Sequence, residues 1–176
     1  MNIETYLDIP EIHQLKVVSP SDVPFSQDVA DACKANACGK YGTCWTCPPG
    51  IGYWREWETK IKSYEFAAVF TCKYDLEDSF DFEGMMRGKD ATKDLLIKIK
   101  HELNTKGEDF LALGCSGCDL CRKCTYPDNP CRFPEKAILS VEACGINVVE
   151  LSQKIGIKYN NGTNTVTYFC IILFNR

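Results

Sequence analysis

Several things are missing from this 176-residue sequence, and each absence closes a class of function. No apolar run reaches the eighteen or so residues that a membrane span needs, so no membrane association is expected. No basic stripe exists. The formal net charge is −4, and Lys and Arg are interspersed with acids, which argues against a nucleic-acid face. The start, "MNIETYLDIPEIHQ", has neither a basic n-region nor an apolar core, so it does not read as a secretory leader. A cytoplasmic location is the resulting expectation. No G-x-G-x-x-G follows a strand-like run, and no P-loop is present. Histidine is scarce. His13 and His101 are the only two, neither lies at ligand spacing from a cysteine, and no Cys–His dyad can be read from them. His101 reads as a solvated residue on a helix face. Low-complexity segments, linkers and convincing internal repeats are also missing, so the whole of residues 1–176 is expected to form one metal-binding domain.

What the chain has instead is cysteine, twelve in all. In a reducing compartment, thiols this dense point to metal before disulfides. They fall into two groups. The first is Cys33-x4-Cys38-x5-Cys44-x2-Cys47, followed by two prolines. The second is Cys115-x2-Cys118-x2-Cys121-x2-Cys124-x6-Cys131. Thiolates are soft donors that suit zinc or iron–sulfur clusters. Structural zinc usually takes two short knuckles set well apart. The second group has three consecutive x2 gaps, which resembles the bacterial ferredoxin run C-x2-C-x2-C-x3-C-P. It departs from that run in its last gap and in the place of its proline. A [4Fe–4S] site on Cys115, Cys118 and Cys121 is the expectation, its fourth ligand open among Cys124, Cys131 and a distant residue. The first group supplies enough cysteines for a second site, a cluster or a zinc knuckle.

Cys72 in "AVFTCKY" and Cys170 in "TYFCIIL" sit inside apolar runs and read as core residues. Cys144, beside Gly145, is open between core and ligand. Arg122 and Arg132 lie near the thiols, where a cation would offset cluster charge or hold an acidic substrate. Trp45, Trp54 and Phe133 flank the sites as apolar cover or plain packing. "PGIG" ahead of a helix reads as a tight turn rather than an anion site, and "NGT" at Asn161 as a polar turn.

Periodicity places the remaining elements. "HQLKVVS" reads as a strand, and "SQDVADACKAN" as a helix with Ser26 as N-cap. "YWREWETKIKSY" is helical, "EFAAVFTCKYDL" a strand, and "KDATKDLLIKIKHELNTKG" a helix stopped at Gly107. "DFLALGCS" is a short strand, "SVEACGINVVELSQKIG" a helix ending at Gly156, and "TVTYFCIILFN" a strand buried on both faces. The strand–helix–strand order suggests a parallel pair joined by a right-handed crossover. The expected fold is therefore α/β, a small and mostly parallel sheet with packed helices and cysteine-rich metal-binding loops at one end.

The string "GCSGCDLCRKCTYPDNPCRFPEKAILSVEACGIN", with "YGTCWTCPP" upstream, resembles a bacterial and archaeal family of predicted metal-binding proteins. The resemblance runs from about Cys33 to Gly156, and "PCR-P" and "S-EA-GI" extend it beyond the cysteines. Val141 stands where the family often has methionine. The resemblance implies metal binding and an anaerobe-leaning distribution, and it supplies no activity.

Three functions follow as expectations. The first is an oxygen-sensitive protein with one or two [4Fe–4S] clusters, serving electron transfer in anaerobic metabolism with a redox partner protein. The second is an enzyme whose cluster keeps an open iron for a small molecule. The third is a zinc-stabilised interaction module.

Overall fold

A computed structural model describes residues 3–176. The elements run α1 (Ile3–Tyr6), β1 (Gln14–Val18), a 3-10 turn (Pro20–Asp22), α2 (Gln27–Lys34), α3 (Trp54–Lys62), β2 (Phe66–Asp75), α4 (Phe82–Thr105), β3 (Phe110–Gly114), β4 (Leu139–Ser140), α5 (Val148–Ile155) and β5 (Thr165–Phe174). The strands form one sheet in the order β1-β2-β5-β3-β4. No helix among the described residues is long and apolar enough to cross a membrane.

The sheet is mixed and mostly antiparallel, which corrects the parallel expectation. β1 pairs antiparallel with β2, and β5 pairs antiparallel with both β2 and β3. Only the short β3–β4 pair is parallel. β2 and β3 do run in the same direction across the α4 connection. The C-terminal strand, however, lies between them and takes both of their inner edges. An apolar run reports burial on two faces and says nothing about strand direction, so "TVTYFCIILF" suited either arrangement.

Alternation along the central strands builds two core layers. Ala67 and Val69 of β2, with Phe169, Ile171 and Leu173 of β5, face Ile61 of α3 and Leu151 of α5. Ala68, Phe70 and Cys72, with Cys170, Ile172 and Phe174, face Leu96, Ile99 and Leu103 of α4 and Ile3 of α1. Both cysteines expected in the core are there, fully buried. Burial pushes the Cys72 thiol up to about 11.

Helix ends follow local chemistry. Ser26 caps α2 by accepting from the Asp28 N–H, and Gly107 and Gly156 take left-handed φ of 69° and 72° just past α4 and α5. Two boundaries differ from expectation. α4 starts at Phe82 rather than Lys89, because Asp81 accepts from the Gly84 N–H at 2.7 Å. Gly88 lies inside this helix because a Cβ there would meet the Tyr74 ring at 2.7 Å, so it is a close-packing residue and not a breaker. The segment from Ser140 to Asn147 is not helical. It holds only the last residue of β4 and then a turn through Gly145, whose φ of 83° and 2.8 Å approach to Trp54 exclude a side chain. Asn147 then caps α5 by accepting from the Glu150 N–H at 3.1 Å.

Candidate metal centre

The two cysteine-bearing segments, one between α2 and α3 and the other between β3 and β4, have no regular secondary structure and lean on each other. The buried Thr46 hydroxyl accepts from the Cys118 N–H at 3.0 Å. Lys40 Nζ donates to the Cys118 carbonyl at 3.5 Å. Trp45 Nε1 donates to the Asn129 carbonyl at 3.0 Å, and its ring meets Tyr126 edge-on with centroids 4.9 Å apart. Gly117 sits where the segments touch. A Cβ there would lie 2.9 Å from Cys47 Sγ and 3.0 Å from Lys40 Cγ. Within the second segment, Arg132 Nη1 donates to the Lys123 carbonyl at 2.9 Å and Thr125 Oγ1 to the Pro130 carbonyl at 2.8 Å, which folds Cys124 and Cys131 toward one another.

This docking sorts the thiols differently from their order in the sequence. Cys44, Cys118, Cys121, Cys124 and Cys131 line one narrow gap of about 20 Å³, with Leu120, Arg132 and Phe133 around it. Cys33, Cys38, Cys47 and Cys115 line a separate, wide cleft of about 910 Å³. Each set thus draws on both sequence groups. Among the described residues, no three His, Cys, Asp or Glu groups are drawn together closely enough to hold a metal ion as they stand. The donor chemistry fits a thiophilic group, since both sets are rich in thiols carried on irregular segments; coordination requires those thiols to close in.

Electrostatics distinguish the thiols. The Cys44 thiol is pulled down to about 5, chiefly by the hydrogen bond from Cys47, against its own burial; the Thr46 hydroxyl and the N–H groups of Thr46 and Cys118 add to the effect. Cys47 keeps its proton correspondingly firmly. Burial raises Cys118, and the neighbouring Cys44 and Cys131 charges raise it further. Cys33 is raised by burial and then by the nearby Glu142 and Cys38 charges; its thiol lies 3.7 Å from the Glu142 carbonyl.

Cys115 is the exception within its run. Its sulfur is hydrogen-bonded to Cys170, which lowers Cys115 and holds the fully buried Cys170 as a thiol. Cys144 is buried in the first core layer, and burial pushes it up to about 12, a packing environment rather than a ligand's. Both histidines are exposed, and His13 Nε2 lies 3.2 Å from Asn161 Oδ1. The "PGIG" segment is a turn into α3 with Gly52 at φ 85° beside the Glu56 carboxylate, which does not suit an anion. Trp54 is buried under Gly145, away from the thiol gap, whereas Phe133 lines it.

Three residues of the site carried no signal of their own in the sequence, Thr46, Gly117 and Lys40, and Glu142 was visible only as part of the "S-EA-GI" motif, with no role attached. Each matters through a contact across the two segments or with the turn after β4, and such contacts leave no trace in spacing.

No curated protein and no solved structure matches the chain significantly. The family described as Predicted metal-binding protein (DUF2284) matches residues 16–174, well beyond the cysteine-bearing segments, and the chain belongs to that family.

Proposed function

We propose that this protein binds an iron–sulfur cluster on Cys118, Cys121, Cys124 and Cys131 and passes electrons to a protein partner. One observation carries the reading: these four thiols, all from the β3–β4 segment, line the same narrow gap. The run C-x2-C-x2-C-x2-C contains two overlapping three-cysteine registers, Cys115 to Cys121 and Cys118 to Cys124. The hydrogen bond of Cys115 to Cys170 favours the second register, with Cys131 completing the set. Four thiolates give a closed site, and a closed [4Fe–4S] group supplies one-electron transfer when bound. Leu120 and Phe133 provide apolar cover, Arg132 brings a cation against the thiolate charge, and Thr46 holds the Cys118 backbone from behind. Phe133, 38% exposed, puts an aromatic edge at the surface where a redox partner would approach.

The test is anaerobic purification followed by iron, zinc and acid-labile sulfide assays. The expectation is about four irons and four sulfides for this site, lost on changing any one of Cys118, Cys121, Cys124 or Cys131 to Ser. Zinc without sulfide would overturn the reading and leave a structural module.

A further inference from the structure

The wide cleft takes no part in the electron-transfer reading. Three helices wall it. α2 contributes Val29 and Ala32, α4 contributes Phe82 and Met86, and the start of α5 contributes Val148 and Val149. The pairs on α2 and α4 are each about one turn apart, so each forms a stripe on one helix face. The protein's own core does not cover these faces. α2 has no buried residue. Six large apolar side chains are exposed among the described residues, and three of them, Phe82, Val149 and Tyr159, line this one cleft. Apolar surface gathered in this way marks a binding site, whereas scattered exposure does not. The volume of about 910 Å³ suits a small molecule, whose sites run to roughly 1,000 Å³.

Two ammonium groups stand at one end. Lys40 lies against Gly117, where an added Cβ would meet its Cγ at 3.0 Å, and its Nζ donates to the Cys118 carbonyl at 3.5 Å. Lys93, one turn beyond Lys89 on α4, reaches Asp119 at 2.7 Å. The Lys89 edge of α4 therefore runs to the same Gly117–Asp119 stretch on which Lys40 lies. Lys89 has only a 3.6 Å contact with Asp90, so neither ammonium has a strong partner. The two acids of the cleft do not neutralise them. Asp119 is taken by Lys93. Burial raises the Glu142 carboxyl, against hydrogen bonds from its own N–H and the Ser140 hydroxyl. Phe82 precedes Lys89 on the same helix by nearly two turns, roughly 10 Å along its axis. The cleft is thus apolar at one end and cationic at the other.

We propose that this cleft binds a small amphipathic carboxylate, with its acid group at Lys40 and Lys89 and its hydrocarbon body along Phe82, Met86 and Val148. No thiol and no metal takes part, so the site stands or falls apart from the iron–sulfur reading.

The experiment is isothermal titration of the full chain, purified anaerobically, with octanoate, hexanoate, octanol and octylamine. Octanoate should bind saturably, one per chain. Hexanoate should bind roughly fifteenfold more weakly, at about fourfold for each CH₂ withdrawn from an apolar wall. Octylamine, with the same body and the opposite charge, should bind at least roughly tenfold more weakly than octanoate, for want of the charge-assisted bonds. Lys89→Met keeps the apolar stem and removes the charge. It should weaken octanoate about tenfold and leave octanol unchanged. Phe82→Ser should weaken octanoate and octanol alike. Octylamine binding as well as octanoate overturns the proposal, as does the absence of saturable octanoate binding. Octanoate affinity unchanged in both variants puts the ligand elsewhere and overturns it too. A chain that takes up no octanoate, and sediments as a dimer that Phe82→Ser dissociates, has a second copy in the cleft, which also overturns it.

Discussion

Replacing Thr46 by Val tests whether the two cysteine-bearing segments hold each other in place. Thr46 is 3% exposed, accepts from the Cys118 N–H at 3.0 Å and lies 3.5 Å from Cys44 Sγ. Valine keeps the shape and removes both interactions. The part-buried Cys118 N–H then loses its oxygen acceptor and is left with only the weaker Cys44 sulfur, and a poorly satisfied donor of this kind costs about 1–3 kcal/mol. For a chain of this length that corresponds to a fall in Tm of roughly 2–12 °C. The same energy acts on the equilibrium between docked and open segments. At tenfold per 1.4 kcal/mol, iron should leave to a chelator roughly 5- to 150-fold more readily. Thr46→Ser restores the hydroxyl and should recover most of both losses. The assays are thermal unfolding by circular dichroism and anaerobic iron release to a coloured ferrous chelator. A Thr46→Val protein that matches wild type in both, or a Thr46→Ser protein as impaired as Thr46→Val, would refute the claim that this hydroxyl ties the segments together.

Other perturbations separate core from site. Leu96→Ala, at the centre of the second core layer, should cost about 2–5 kcal/mol, or roughly 4–20 °C in Tm, with iron stoichiometry unchanged in the folded fraction. Cys72→Ala should likewise lower Tm and leave iron intact; if it empties a site, the core placement of that thiol is wrong. Cys170→Ala should leave iron content intact while raising the apparent pKa of Cys115 in alkylation assays, since Cys115 loses the bond that lowers it. Asp81, whose carboxylate is lowered first by the Gly84 N–H, should contribute stability above the ordinary aspartate range near 3.9 and lose it as pH falls through its lower folded value. The Tm difference between wild type and Asp81→Asn should accordingly be present at pH 7 and close below about pH 4.

Much of this was readable from the residues, and the failures share a cause. Ser26 as a cap, the glycines at 107 and 156 and the doubly buried β5 are local signals, and the chain obeys them. The sheet's direction was not local. β2, α4 and β3 read as a crossover unit because the strand that separates β2 from β3 arrives only at the C-terminus. The helix read from Lys89 begins seven residues earlier, and Gly88 within it lets the helix approach Tyr74. Gly145 was hidden inside a plausible amphipathic run, and its left-handed φ ends any helix before α5. At the site, twelve cysteines made a metal reading plain, but equal x2 gaps look the same in either register.

The antiparallel sheet supplies what the spacing lacked. β3 pairs with β5 as far as Leu113 opposite Ile171, so the chain leaves the sheet beside Cys170. Cys115 is thereby delivered to the sheet, at the edge of the second core layer, and its sulfur finds Cys170 rather than the thiols that follow it. The run is divided at that point by the fold, not by its own sequence. Two residues on, Gly117 lets the first segment close over the second, with Cys47 Sγ where a side chain would have been. That contact brings Cys44 among the thiols of the second group and leaves Cys47 with Cys33 and Cys38 in the cleft. The position of the last strand therefore decides which cysteines can act together in a loop that precedes it in the chain.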